Sequence, residues 1–330
     1  LRAIYRIAAL SSGRGPYDVA HAHFGPVASD FRFARRVWRA PLVASFHGYD
    51  FSSWPRRHGP DVYRDLFATV DAVTGLNAYT MRRVRELGCP PEKLYRMPMG
   101  LDPTEFPFRE RALAIGEPVR LLTVGRMIEK KGMEFSIRAV AGLVRRHPDV
   151  RYEIVGDGPL RPAIEALISE LDLERVVVLH GARDAAFVRD RMAAAHLFVL
   201  TSVTAASGDQ EGQAVVLQEA QACGLPVVTT DHSGLPEAID AGRSGFLVPE
   251  RDVDALVDRL EHLVSHPDLW ASMGRAGRAY VEARFDNRTL LRELEGLYTE
   301  LVERQRADLP RWSTAVGVSA CRAARSRSGK

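Results

Sequence analysis

Val119-Arg120-Leu121-Leu122-Thr123-Val124-Gly125-Arg126-Met127-Ile128-Glu129-Lys130-Lys131-Gly132 is the stretch that decides the fold. Its first six residues are mostly Val and Leu and read as a strand. Gly125 ends the run, a charged loop follows, and Met133–His147 has the apolar period of a helix. Strand, glycine-flanked loop and helix make the first half of a βαβ unit. Loops after strands are where parallel sheets bind ligands. Arg126 and Lys131, flanked by glycines, can converge there on one anion. Arginine supplies a planar fork, lysine a compact charge, and the helix N-terminus its dipole. The plainer reading is a solvated charged turn.

The pattern continues downstream. Arg151–Val155, Val176–Leu179, Leu197–Leu200, Pro226–Thr230 and Gly245–Val248 read as strands. Helices are expected over Leu160–Leu171, Ala185–Ala195, Ala214–Ala222, Val253–Ser265, Pro267–Phe285 and Asp286–Arg304. Such an alternation predicts an α/β, doubly wound sheet. Upstream, strands are expected at Asp18–His23, Leu42–Phe46, Ala72–Gly75 and Lys93–Met97, with helices at Asp61–Val70 and Ala78–Leu87. Between the halves, Pro98–Phe108 holds three prolines and a glycine and reads as a linker. The chain therefore divides into a first domain, 1–104, a second, 105–285, a helix over 286–304, and a basic tail, 305–330. Periodicity stops in the tail, which reads as disordered.

With 330 residues the chain has room for two cores. Three widely spaced cysteines exclude a disulfide framework and any CxxC site. No run of 18 apolar residues provides a membrane span. A cytoplasmic location fits. Residues 1–104 carry a net charge of +6, residues 105–304 a net −8 and residues 305–330 a net +5. The basic first half concentrates in Arg32–Arg39, with Phe33 and Trp38 interleaved, and in Trp54–Arg57. Basic residues with aromatics suit the inner face of an anionic membrane, as a peripheral contact. They also suit single-stranded nucleic acid, but no nucleic-acid motif accompanies them, and a solvated arginine-rich surface is the plain alternative.

Three further constellations follow strands. Glu211-Gly212-Gln213-Ala214-Val215-Val216-Leu217-Gln218-Glu219 reads as a helix whose two carboxylates lie about 12 Å apart along its axis. That spacing matches a sugar ring, a diphosphate and a ribose, with the Gly212 and Gln213 amides facing the diphosphate. Phe46-His47-Gly48-Tyr49-Asp50 puts His47 at a strand end, where it can face a cleft or simply pack. Val155-Gly156-Asp157-Gly158-Pro159 resembles half a dinucleotide fingerprint, but Arg161 stands where a third glycine is needed, so a tight turn is the better reading. No GxxxxGK[ST], GxSxG or HExxH occurs. His21 and His23 alternate on one strand face, without a partner at metal-ligand spacing.

Taken in order, the strand-end HG, MPMGLD, VGRMIEKKG, VGDGP, HGARD, EGQAVVLQEAQACGLPVV, SGLPE and SGFLVP resemble the retaining glycosyltransferases of family 4. The resemblance is to the exopolysaccharide branch of the colanic-acid type and runs from about Asp18 to Val302. It implies the GT-B fold, two Rossmann-like domains facing across a cleft. It implies that Arg126 and Lys131 hold the donor diphosphate, Glu219 the ribose, and Glu211 the donor sugar, with Gly125, Gly212 and Gln213 beside them. His47 would reach the sugar from the first domain, and Gly181, Ala182 and Arg183 would meet the base. It implies no cofactor and no metal, a UDP- or GDP-sugar donor, and a glycan or lipid-linked saccharide acceptor. Family members usually begin with additional strand–helix units, so the first domain is expected to be incomplete. Two rivals remain: a sugar-nucleotide epimerase on the same plan, and a non-catalytic nucleotide-sugar-binding fragment.

Overall fold

The computed structural model describes residues 17–308. The basic tail expected from 305 falls mostly outside them. Two separate parallel sheets flank the proline-rich linker. The first has four strands in sequential order: β1 (Ala20–His23), β2 (Leu42–Phe46), β3 (Ala72–Gly75) and β4 (Leu94–Arg96). Helices α1 (Gly25–Phe31), α2 (Ala34–Trp38), α3 (Ser53–His58), α4 (Arg64–Thr69) and α5 (Ala78–Glu86) connect them. The first three escape sequence reading because five to seven residues hold less than two full turns of apolar period.

The second sheet has six strands: β5 (Arg120–Val124), β6 (Arg151–Val155), β7 (Val177–Gly181), β8 (Leu197–Leu200), β9 (Val227–Thr230) and β10 (Gly245–Val248). Their spatial order is β10-β9-β8-β5-β6-β7, all parallel. Read from β7, this is the 3-2-1-4-5-6 order of a dinucleotide-binding sheet, and the strand order reverses between β5 and β8. Both faces are covered. Leu121, Tyr152, Ile154, Leu197 and Val199 pack under α6 (Met133–Val144), α7 (Arg161–Glu170) and α10 (Val253–Ser265). Leu122, Val155, Phe198 and Leu200 face α8 (Ala185–Ala194), α9 (Val215–Ala222) and α11 (Trp270–Arg284). Neighbours in sequence thus enter opposite cores, which explains the continuous apolar runs.

Helix α12 (Asn287–Asp308) extends four residues past the expected end. It returns to the first sheet, where Leu297 and Leu301 pack on Val43 and Ala72. The two crossings between domains run side by side. Leu101 N donates to Phe285 O at 2.9 Å and Asn287 N to Leu101 O at 3.0 Å. The linker also contains a single 3₁₀ turn, Pro103–Glu105.

Candidate functional site

The loops after β5, β6 and β7 are zipped together by backbone. Gly125 N donates to Val155 O at 2.9 Å, Met127 N to Asp157 O at 2.8 Å, and Gly156 N to Gly181 O at 2.9 Å. Gly156 has φ +146°, and a Cβ there would lie 1.8 Å from Gly125 O. Only glycine fits, which gives the Gly156–Gly158 motif a structural meaning: it builds the wall of the site. The loop after β5 is also tied across the reversal point. A Cβ on Gly132 would lie 2.0 Å from Thr201 O, and Thr201 Oγ1 donates to Gly132 O at 2.7 Å.

These ties bring Lys131 to Glu211. Lys131 Nζ donates to Glu211 Oε2 at 2.5 Å, with both side chains about nine-tenths buried. The Lys131 stem lies over Gly125, whose Cβ position would be 3.6 Å from Lys131 Cε. Burial opposes charge on Glu211, but Lys131, Lys130 and His232 together outweigh it and hold the carboxyl below the usual range. Lys130 pairs with Asp209 at 3.2 Å. Arg126 differs: it is exposed and makes no ion pair among the described residues.

The expectation that Glu211 and Glu219 share a helix needs correction. Helix α9 begins at Val215, and Glu211 through Ala214 run outside it. Contacts with the first domain override the helical propensity. A Cβ on Gly212 would lie 1.6 Å from His47 O, Asn77 Nδ2 donates to Gly212 O at 2.7 Å, and Gln213 Nε2 donates to Met99 O at 2.6 Å. Gly212 and Gln213 therefore carry the interface between domains, and the helix-axis spacing of about 12 Å does not apply. Glu219 does lie on α9, half-buried and without an ion pair among the described residues. Burial raises its carboxyl, opposed by Arg189. Ala182 and Arg183 are exposed past Gly181 at the end of β7, with the Arg183 guanidinium 5.2 Å from the Phe187 ring centre. No hydrogen bond or ion pair joins Arg126, Arg183 or Glu219 to the Lys131–Glu211 pair among the described residues.

His47 stands at the end of β2. Fully buried Asp50 accepts from the amides of Gly48 at 2.7 Å, His47 at 3.0 Å and Gly25 at 3.1 Å, fixing the turn. Burial, then the neighbouring His23, pushes the His47 imidazole down to about 4. Sequence reading missed Asp50, and it missed His232. Glu211 N donates to His232 Nε2 at 3.0 Å. The other nitrogen, Nδ1, therefore carries the proton and faces Glu250 Oε1 at 2.6 Å. Glu250 Oε2 in turn accepts from Thr204 N at 2.8 Å. His232 follows β9, so the rule of inspecting strand-end loops would have found it.

Two facing Rossmann-like domains, with charged strand-end loops at the cleft, define the GT-B class of α/β enzymes. Residues 118–266 match the family described as "Glycosyl transferases group 1", and residues 1–100 match the "Glycosyl transferase 4-like domain". The chain belongs to this glycosyltransferase family. It is 37% identical over 285 residues to the putative colanic acid biosynthesis glycosyltransferase WcaL of Salmonella typhimurium, covering 85% of this chain and 70% of the relative. It is 34% identical over 305 residues to the amylovoran biosynthesis glycosyltransferase AmsK of Erwinia amylovora, covering 90% and 73%. The fold matches that of Anabaena HepE in complex with UDP, with a TM-score of 0.78 and 21% identity, over 91% of this chain and 82% of that one.

Proposed function

We propose that the protein transfers a hexose from a nucleoside diphosphate sugar to a hydroxyl of a glycan or lipid-linked saccharide in exopolysaccharide synthesis, with retention at the anomeric carbon and no metal at the chemical step. The observation that carries this reading is Lys131, ion-paired to Glu211, in the same loop as the exposed Arg126 at the reversal point of the second sheet. A diphosphate would recruit both cations. Drawing Lys131 toward the phosphates would release Glu211 to accept from sugar hydroxyls. Glu219, half-buried and without an ion pair among the described residues, suits ribose hydroxyls. The Gly181–Arg183 backbone suits the base, with Gly125 allowing close approach.

When the bond from the anomeric carbon to the phosphate oxygen breaks, negative charge grows on the leaving diphosphate. Arg126 and Lys131 stabilise that charge more in the transition state than in the ground state. The acceptor oxygen bonds to the same face, and its proton passes to the departing phosphate oxygen. His47 contacts the sugar from the first domain. Relatives named for polysaccharide synthesis support the acceptor class, and the UDP complex of HepE supports a nucleotide donor.

The test is calorimetric titration with UDP, GDP and ADP in EDTA, repeated on Arg126→Ala, followed by NMR of the product anomer. One nucleotide bound tightly, lost in the variant, with retained configuration, is the expected result. An inverted product, or turnover abolished by EDTA and restored by a divalent metal, overturns the corresponding part. A protein that binds nucleotide but never turns over with any acceptor would favour the non-catalytic rival. Interconversion of the donor without acceptor would favour the epimerase.

Peripheral membrane contact belongs to the same reading. Val27 and Val37 on α1 and α2 are 41% and 46% exposed, beside the exposed Arg32, Arg36 and Arg39. Apolar side chains within a basic patch suit an anionic surface. Flotation with phosphatidylglycerol vesicles, lost in Arg36→Glu/Val37→Asp, is the expected result; no flotation of the unaltered protein rejects it. Among the described residues no helix is long and apolar enough to cross a membrane.

A further inference from the structure

Three histidines of the first domain form a column that ends at the cleft. His21 and His23 project from one face of β1, and their rings stack with centres 4.5 Å apart. His23 stacks in turn on His47 at 5.2 Å. His23 Nδ1 and His47 Nε2 share a hydrogen bond of 3.0 Å. The far end is anchored at both nitrogens of His21: Nδ1 meets Tyr298 Oη at 2.5 Å, and Nε2 meets Ser45 Oγ at 2.7 Å. Ser45 Oγ is itself held to Thr74 Oγ1 at 2.5 Å. Tyr298 belongs to α12, so the returning helix props the column from behind.

On its other side the His47 ring meets Phe24, centres 4.7 Å apart. The His47 backbone is fixed through Asp50. Burial and the neighbouring imidazoles push both His21 and His47 down to about 4, so both are neutral at pH 7. A neutral imidazole has one donor nitrogen and one acceptor nitrogen. Which nitrogen His47 offers to a ligand is therefore decided by what its Nε2 does with His23.

We propose that His23 is a positioning residue that fixes the tautomer and ring orientation of His47: His47 Nε2–H donates to His23 Nδ1, leaving the His47 Nδ1 lone pair to accept from a donor-sugar hydroxyl. The inference rests on the reading of His47 as a sugar contact. The His23 ring is exposed at the cleft, with its Nδ1 turned to His47. Without the His23 partner, nothing among the described residues holds His47 Nε2, and the two tautomers and ring orientations become interchangeable. The sequence contained half of this. The alternation of His21 and His23 predicts a shared face, but His47 lies 24 residues further on, and only the β1–β2 pairing brings it alongside.

The test uses the full chain and the variants His23→Leu, His23→Asn and His47→Ala. In His23→Asn the introduced amide oxygen can accept where the imidazole Nδ1 did, whereas the leucine side chain cannot. Nitrogen-15 histidine spectra without ligand read the tautomer at pH 7.5. A single Nε2-protonated His47 is expected in the unaltered chain and in His23→Asn, and a tautomer mixture in His23→Leu. Turnover is read as nucleotide release from GDP-mannose and UDP-glucose, whichever the chain uses. His23→Leu is expected to lower kcat about 10–100-fold, with KM for the donor nearly unchanged, as for a small misplacement of a reacting contact. His23→Asn is expected to retain most of it. A single His47 tautomer persisting in His23→Leu overturns the proposal, as does unaltered kcat in His23→Leu when His47→Ala is impaired. Full activity of His47→Ala is a separate failure: it removes the sugar contact, and with it the need for positioning. Thermal unfolding of each variant, followed by circular dichroism, checks that the altered first domain is folded.

Discussion

Arg126 and Lys131 share a loop but not an environment, and their replacements are expected to part company. Lys131→Ala leaves Glu211 buried without its partner, which costs about 3–5 kcal/mol in comparable pairs, so the unfolding midpoint and turnover should both fall. Arg126→Ala removes an exposed cation that makes no ion pair among the described residues. It should leave the midpoint within a degree or two and lower kcat/KM about 10²–10³-fold, as loss of one charge-stabilising donor does. Thermal unfolding and donor kinetics on both variants check the contrast; equal loss of stability would refute it. The histidines make a second prediction at this scale. The unfolded chain protonates His21 and His47 near pH 6.5, about their ordinary value, but the folded chain only near 4. Protons therefore favour the unfolded state between these limits. Their stabilising contribution is complete above about pH 6.5 and is lost as pH falls toward 4. Glu211, held low by lysines, adds a loss in a lower window, below the ordinary carboxylate range near 4.3. Unfolding midpoints from pH 7.5 to 4.5 should fall, and His21→Gln should flatten the fall above pH 4.5.

Secondary-structure elements were legible where a single period governs them. β5, its glycine-flanked loop and α6 follow from apolar runs, Gly125 and Gly132, and the loop falls where a doubly wound sheet binds ligands. The segment from Glu211 to Glu219 reads as one helix because Gly212 is its only strong helix disfavourer, while the competing contacts come from the other domain. Gly212 is pressed against His47 O, and nothing local announces that. Asn77 shows how an element can serve two levels at once. Its Oδ1 accepts from Thr80 N at 2.8 Å, capping α5, while its Nδ2 donates to Gly212 O at 2.7 Å. Asn77→Asp keeps the cap acceptor and loses the donor; Asn77→Ala loses both. The alanine variant should lose about 1 kcal/mol more for the cap alone. Both should lower turnover alike if the bond between domains is what matters to catalysis. Denaturant unfolding paired with kinetics separates the two roles, and full turnover in Asn77→Asp would assign the residue to capping only.

At the scale of the whole molecule, two chain crossings lie side by side at Leu101 and Asn287, joined by backbone hydrogen bonds. Such a pair can act as a hinge, and side-chain contacts between the domains set how tightly the cleft closes. Glu237 makes two of these. Its Oε1 accepts from Ala78 N, the first amide of α5, at 2.7 Å, and its Oε2 accepts from Arg96 at 3.1 Å. A carboxylate of one domain thus caps a helix of the other, where the helix dipole favours it. Under the proposed function Arg126, Lys131, Glu211 and Glu219 hold the donor from the second domain, and His47, whose carbonyl packs on Gly212, meets it from the first. Glu237→Lys faces Arg96 with a like charge and the helix N-terminus with the wrong sign. It should leave nucleotide affinity within about threefold, because binding draws on one domain, but lower kcat at least about tenfold, because chemistry needs both. Small-angle scattering should show a larger radius of gyration for the variant. An unchanged radius with unchanged kcat would mean that closure does not depend on this contact. An enlarged radius with full activity would remove domain closure, and with it His47, from the chemical step.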